Sequence, residues 1–187
     1  MVRMTLQFEV DPELTEQLRA EIVACWTDVS NAGGAVGFVP PVTMDDVLPQ
    51  AVAQFAGVDS GRDRLVVGRV AEGPQAGRLA ALAFLVSEDF ALTAHWQTVR
   101  RVMVHPDFQG SGYGYTLMAE VAAVARESGL EQLHLDCRGG TGNDLFYKKC
   151  GYTEYGRLPK ALKLPGRTED GEGATPYRDR ILMAMEL

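Results

Sequence analysis

The stretch "HPDFQGSGYGYTLM", residues 105–118, sets glycine at every second position from Gly110 to Gly114. It lies between the β-branched run "TVRRVMV" and a segment with helical periodicity. Backbone N–H groups are left bare where a loop becomes a helix, and without Cβ atoms around them they converge on an anion. Three phosphate-binding arrangements compete for such a junction. A phosphate loop ends in Gly-Lys-Ser/Thr, whereas Gly114 is followed by Tyr115 and Thr116. A dinucleotide fingerprint counted from Gly110 needs glycine at position 115 and opens a βαβ unit with an acid about twenty residues on, and neither condition is met. The spacing that fits is Gln/Arg-x-x-Gly-x-Gly/Ala, carried by Gln109, Gly112 and Gly114.

On either side of this motif the chain reads as alternating strands and helices. Residues 112–128 form a helix with Leu117, Val121 and Val124 on one face, stopped by Gly129. "TVRRVMVHP" is a strand ending at Pro106, preceded by a hairpin of "DRLVVGRVAEG" and "GRLAALAFLVSE" around Gly73, Pro74 and Gly77. Further upstream, "MTLQFEV" alternates as a strand does. "DPELTEQLRAEIVACWTDV" follows as a helix with Asp11 as the expected cap. "NAGGAVGFVPP" connects it to a shorter helix, "TMDDVLPQAVAQFAG", in which Pro49 marks an irregularity. Downstream come a strand "LEQLHLDCR", a short helix "NDLFYKKCG", and strands "YTEYGRLP" and "RILMAMEL". The polar "KLPGRTEDGEGATPYRD" between those last strands is expected to be a mobile loop.

A chain of 187 residues with 46% apolar content fits one core, so residues 1–187 are expected to form a single domain. Net charge is −7 and no Lys/Arg run exceeds a pair, which argues against nucleic acid or an anionic membrane as partner. The acidic balance suits a cationic or neutral substrate. The N-terminus lacks an apolar export core and no stretch reaches about 18 apolar residues, so the expected location is cytoplasmic. Cys25, Cys137 and Cys150 have neither CxxC spacing nor clustered histidines, so they read as reduced and no metal site is expected.

The glycine motif resembles the pyrophosphate-binding segment of the GNAT acyl-CoA-dependent N-acetyltransferases. The resemblance extends over residues 77–158, because "LFYKKCGY" is similar to that family's Tyr-x-x-x-Gly-Phe/Tyr segment, in the right order after the motif. The run "HLDCRGGTGNDLFYKKCGYTEYGRLP" further resembles the tabtoxin-resistance subgroup. Residues 1–60 carry no such signature. The resemblance implies an α/β fold: a mixed, strongly twisted sheet, flanked by helices, whose two central parallel strands splay apart to admit acetyl-CoA. It implies that the main chain of Met103 and Val104 pairs with pantetheine amides, and that Gln109, Gly110, Ser111, Gly112, Tyr113, Gly114 and Tyr115 hold the pyrophosphate. Gln109 replaces the commoner arginine, and Lys149 is the cation that can compensate. An asparagine before the aromatic helix is common in the family. Here the spacing is altered, and Asn143 is either that ligand or a helix cap.

Chemistry then needs two proton movements. An alkylammonium titrates near ~10 and cannot attack a thioester until a base removes its proton, while the departing thiolate gains from an acid. Tyr147 matches by resemblance the tyrosine that serves as general acid, and a backbone N–H near Val104 can stabilise the oxyanion. The strand "HWQTVRRVMV" lacks the glutamate that relatives often carry there. Asp136 is the first choice for the base, because alternation puts His134 and Asp136 on one face of "LEQLHLDCR", opposite Leu133, Leu135 and Cys137. A structural aspartate is the alternative, and His134, His95 and Glu88 are lesser options for the base. Cys137 and Cys150 have no nearby histidine to make either a nucleophile. The expected reaction is direct acetyl transfer to a primary amine of a small molecule, an antibiotic or amino-acid derivative. A protein or peptide N-terminus, or acyl-CoA sensing without turnover, are the alternatives. Monomer and homodimer both stay open.

Overall fold

The computed structural model describes residues 5–164 and 176–187. In chain order the elements are β1 (Leu6–Val10), α1 (Glu16–Asn31), α2 (Met44–Asp59), β2 (Arg64–Val70), β3 (Leu79–Val86) and β4 (Trp96–Val104). There follow α3 (Tyr113–Glu127), β5 (Gln132–Arg138), α4 (Asn143–Lys149), β6 (Thr153–Lys163) and β7 (Tyr177–Glu186). All seven strands form one sheet in the order β1-β2-β3-β4-β5-β7-β6. Every neighbouring pair is antiparallel except β4 and β5, which run parallel and are joined through α3, as a parallel pair requires a crossover. This is the expected mixed α/β architecture.

The alternation of side chains assigns each face its helix. On one face Leu65, Val67, Leu82, Phe84 and Met103 pack under α1 and α2. On the other, Val66, Ala81, Ala83, Leu85 and Val99 meet Leu117, Val121 and Val124 of α3. The small side chains of Ala81 and Ala83 let α3 lie close to the sheet. Covered on both sides, β3 is buried from Leu79 to Leu85 and reads as a continuous apolar run. β5 and β7 instead alternate: Leu133, Leu135, Cys137, Ile181 and Met183 are buried in the α3 core, while Asp136, Arg180 and, on β6, Tyr155 are exposed. Among the described residues no helix is long and apolar enough to cross a membrane.

Three local expectations are corrected. Asp11 does not cap α1. It takes a positive φ of 50°, and its carboxylate accepts from the Leu65 N–H at 2.9 Å and from Arg64 Nε at 2.8 Å, tying the end of β1 to β2. The cap is Thr15, whose hydroxyl accepts from the Leu18 N–H at 3.2 Å. Pro49 does not interrupt α2. The helix starts at a Thr43–Asp46 capping box and runs unbroken to Asp59, because the carbonyl deprived of its donor belongs to exposed Asp45 and is open to water. The segment expected as a loop over 163–179 is strand at both ends. Lys163 pairs with Tyr177 in the β6–β7 ladder, and residues 165–175 lie outside the described part.

Thr15→Ala is expected to lower the unfolding free energy by about 1 kcal/mol in a denaturant titration, the usual loss for an N-cap side chain. Were Asp11 the cap, Thr15→Ala would be silent.

Candidate active site

The parallel pairing of β4 with β5 covers only Trp96–Thr98 against Gln132–His134 and then stops, although both strands continue. β4 stays attached to β3, through a bulge in which Arg101 and Val102 stand opposite Ala83, with Arg101 at φ 53°. A bulge bends its strand and increases its twist, so β4 follows β3 away from β5 and a gap opens beyond Thr98. Ladder parity fixes what faces the gap. The His105 N–H donates to the Ala80 carbonyl at 2.8 Å, so in an antiparallel ladder Met103 also spends its main-chain groups on β3, opposite Leu82. Met103 is therefore corrected as a pantetheine partner: its backbone is used by β3 and its side chain is buried in the core. Val104 projects its N–H and carbonyl into the gap, where Gln109 Nε2 donates to that carbonyl at 3.0 Å. Val102 has the same parity as Val104. The sequence alone did not single it out, because parity depends on the bulge.

At the head of α3 the glycines have different reasons. Gly110 and Gly112 take φ of 78° and 86°, the left-handed region, with open space where a Cβ would stand. Gly114 is helical. A Cβ there would stand 3.2 Å from Phe146 Cζ, so this glycine lets α3 approach α4. The Tyr115 and Thr116 N–H groups return to the Gly112 carbonyl at 3.1 and 3.3 Å. Those of Gly110, Ser111, Gly112, Tyr113 and Gly114 have no partner among the described residues and sit at the positive end of α3. The Ser111 hydroxyl is turned to the Phe108 carbonyl. Tyr113 is buried beside Phe108, so it offers its N–H and not its ring. Tyr115 is partly exposed, its ring centroid 4.9 Å from that of Phe146. Asn143 is the first residue of α4 and not its cap, which is Gly142 at φ 77°. Lys149 is exposed in the last turn of α4.

Tyr147 packs edge-on against Phe146 and Tyr152, with centroids 5.1 and 5.9 Å apart. Burial pushes its phenol well above the usual value, with further upward contributions from Cys137, Cys150 and Asp136, so Oη keeps its proton at neutral pH. Burial also pushes the Cys137 and Cys150 thiols up to about 11, which leaves them protonated and poor nucleophiles. Asp136 shares a strand face with His134, as the alternation predicts. It is exposed, however, and not interior, and it accepts from Arg180 Nη2 at 2.8 Å across the β5–β7 pair. His134 stacks on Trp96 at 4.3 Å, and its Nε2 lies 3.0 Å from Gln132 Oε1. Burial and then His95 lower its pKa, which favours neutral imidazole at pH 7. The bare donors, Val104 and, through Phe146, Tyr147 thus gather at the head of α3, with Tyr147 and Asp136 within electrostatic reach of each other.

Residues 65–154 match the family of the acetyltransferase (GNAT) domain. Solved structures of other proteins share the fold. A candidate acetyltransferase from Acinetobacter baylyi ADP1 aligns with a TM-score of 0.74 at 20% identity, covering 98% of this chain and 94% of that one. A spermidine N-acetyltransferase chimera from Vibrio cholerae and hSSAT gives 0.71 at 17% identity, covering 97% and 95%. A ribosomal-protein-alanine N-acetyltransferase from Brucella melitensis gives 0.70 at 19% identity, covering 96% and 99%.

Gly112→Ala is expected to cost about 1–2 kcal/mol in a urea titration, the penalty for a Cβ in left-handed backbone. Gly114→Ala has no such backbone strain, and its effect is expected as a displaced Phe146, visible as altered ring resonances by NMR.

Proposed function

We propose that this chain, whose residues 65–154 match the acetyltransferase (GNAT) domain, is an acetyl-CoA-dependent N-acetyltransferase and that residues 1–187 act as one domain that acetylates the primary amine of a small molecule. The observation that carries the proposed site is the divergence of β4 from β5 beside a row of bare N–H groups at the head of α3. Acetyl-CoA supplies an acetyl group activated as a thioester. The N–H groups of residues 110–114, with Tyr115, Gln109 and Lys149, hold its pyrophosphate. Val104, Val102 and Asn143 receive the pantetheine amides. Gln109 Nε2 then leaves the Val104 carbonyl.

In the transfer an N–C bond forms as the C–S bond breaks. The ammonium gives up one proton on the Asp136 side, directly or through water; sulfur takes a proton from Tyr147 Oη, and the second proton that nitrogen sheds on bonding carbon returns to Oη through water. Asp136, held by Arg180, also steadies the ammonium before the proton leaves. The small-molecule acceptor rests on the resemblance of residues 134–159 to the tabtoxin-resistance subgroup. The fold does not choose between acceptors, because neighbours named for a polyamine and for a ribosomal protein align about equally well. A cytoplasmic location is proposed with it, in keeping with three free, widely spaced cysteines.

Thiol release from acetyl-CoA over a broad amine panel tests the acceptor class. Turnover of a peptide N-terminus, and of no small amine, overturns it. Gly112→Glu is expected to abolish acetyl-CoA binding by calorimetry, since a carboxylate would meet the pyrophosphate. Tyr147→Phe is expected to lower kcat by roughly 10²-fold with acetyl-CoA affinity unchanged. Because the Tyr147 pKa is raised, the proton on Oη survives to higher pH than on a free phenol. The wild-type rate is therefore expected to show no alkaline fall from this group up to about pH 10, checked by a pH–rate profile. Asp136→Asn is expected to lose turnover at neutral pH and to recover part of it at high pH, where more of the amine arrives neutral.

A further inference from the structure

Arg101 is the residue the acetyl-transfer reading leaves unused. It occupies the β4 bulge with a positive φ of 53°, and its side chain turns to the α1–α2 side of the sheet. There its guanidinium lies 4.8 Å over the Trp26 ring, and Nη2 donates to Gln50 Oε1 at 3.0 Å. Gly37, in the connector after α1, closes the socket: a Cβ at that position would stand 3.0 Å from Nη1. The socket orients the guanidinium without neutralising it. Arg101 makes no ion pair among the described residues, and its Nε is buried with no acceptor. Burial accordingly lowers its pKa, the charge of Arg100 acts in the same direction, and the only carboxylate whose charge opposes them is that of Asp136. On the far strand Arg138, two residues beyond Asp136 on the same face of β5, also keeps a buried Nε without a partner.

A half-buried guanidinium with a buried, unmet donor and no ion pair is left for an anion to complete. Arginine's planar fork is the group that reads a carboxylate or similar oxyanion in two places at once. We infer that the acceptor amine carries an oxyanion, as a free amino acid does, and that Arg101 binds it beside the point where β4 leaves β5. The ammonium of the same molecule then falls to Asp136, whose field reaches both Arg101 and Tyr147. Arg101 sets specificity and does not take part in bond making. This inference rests on the acetyl-transfer reading and adds the charge pattern of the acceptor. It also separates the site from the chain's overall charge of −7, which by itself suits a cationic or neutral acceptor.

The test is a thiol-release assay with acetyl-CoA and matched probes: the free L-α-amino acids, the amide of each, and spermidine as a cation without an anionic group. At least one free acid is expected to exceed its amide in kcat/KM by roughly thirtyfold or more, the scale for removing one partner of a buried charge pair. Arg101→Gln should raise KM for that acid and erase its advantage over the amide, while acetyl-CoA affinity by calorimetry stays at the wild-type value. Arg101→Lys should restore part of the preference, because it returns the charge without the fork. Amides accepted as well as acids, spermidine preferred over every free acid, no free acid turned over, or an acid preference that survives in Arg101→Gln would each overturn the inference. If Arg101→Gln fails to fold, the acid–amide comparison in the wild type decides alone. Wild-type protein that does not bind acetyl-CoA would instead sink the site on which the inference stands.

Discussion

The bond that β4 keeps with β3, at the expense of its bond with β5, is the constraint on which the site depends. Three residue pairs hold the parallel strands together at their start, and beyond Thr98 the bulge at Arg101 and Val102 sends β4 along β3. An open edge in the middle of a sheet leaves main-chain donors and acceptors unpaired, which a folded protein rarely tolerates without a ligand to complete them. The same bulge sets the parity that points Val104 into the gap and withdraws Met103 from it. It also forces Arg101 into left-handed backbone and turns its guanidinium towards Trp26. One irregularity therefore makes the opening, sets the parity of its backbone groups and turns Arg101 to the α1–α2 side.

The two helical layers hold that opening from opposite sides. α3 lies close over Ala81 and Ala83, and Gly114 lets α4 approach through Phe146, so the bare N–H groups, Phe146 and Tyr147 are packed together. α1 and α2 pack on the larger Leu82 and Phe84 and carry Trp26 and Gln50, which hold Arg101. In the proposed site, donors for an anion thus come from the α3 side, and the groups proposed to face an acceptor come from the α1–α2 side and from β5. Electrostatics in the gap is set locally. An acidic chain places its uncompensated guanidinium and its protonated phenol where burial, and not net charge, governs them.

Short-range chemistry is what made this protein legible in its sequence. Period-2 and period-3.6 patterns located the strands and helices. Glycine spacing located the junction of bare N–H groups at the head of α3, and strand alternation put His134 and Asp136 on one face. The rest waited for the assembled fold, because it depends on partners distant along the chain. Asp11 is drawn from its helix by Arg64 and Leu65, and Thr15 replaces it as the cap. Met103 and Val104, adjacent and both apolar, separate only because β3 claims one and not the other. Asp136, polar in a central strand, lies exposed and paired with Arg180 because β7 places that arginine beside it. Arg101 stands in sequence beside Arg100 with nothing to tell the two apart, and acquires its buried Nε and its place over Trp26 only when the α1–α2 side folds against it. Periodicity specifies which face a residue takes, but hydrogen-bond parity and charge compensation belong to pairs of segments, and those exist only once the sheet is assembled.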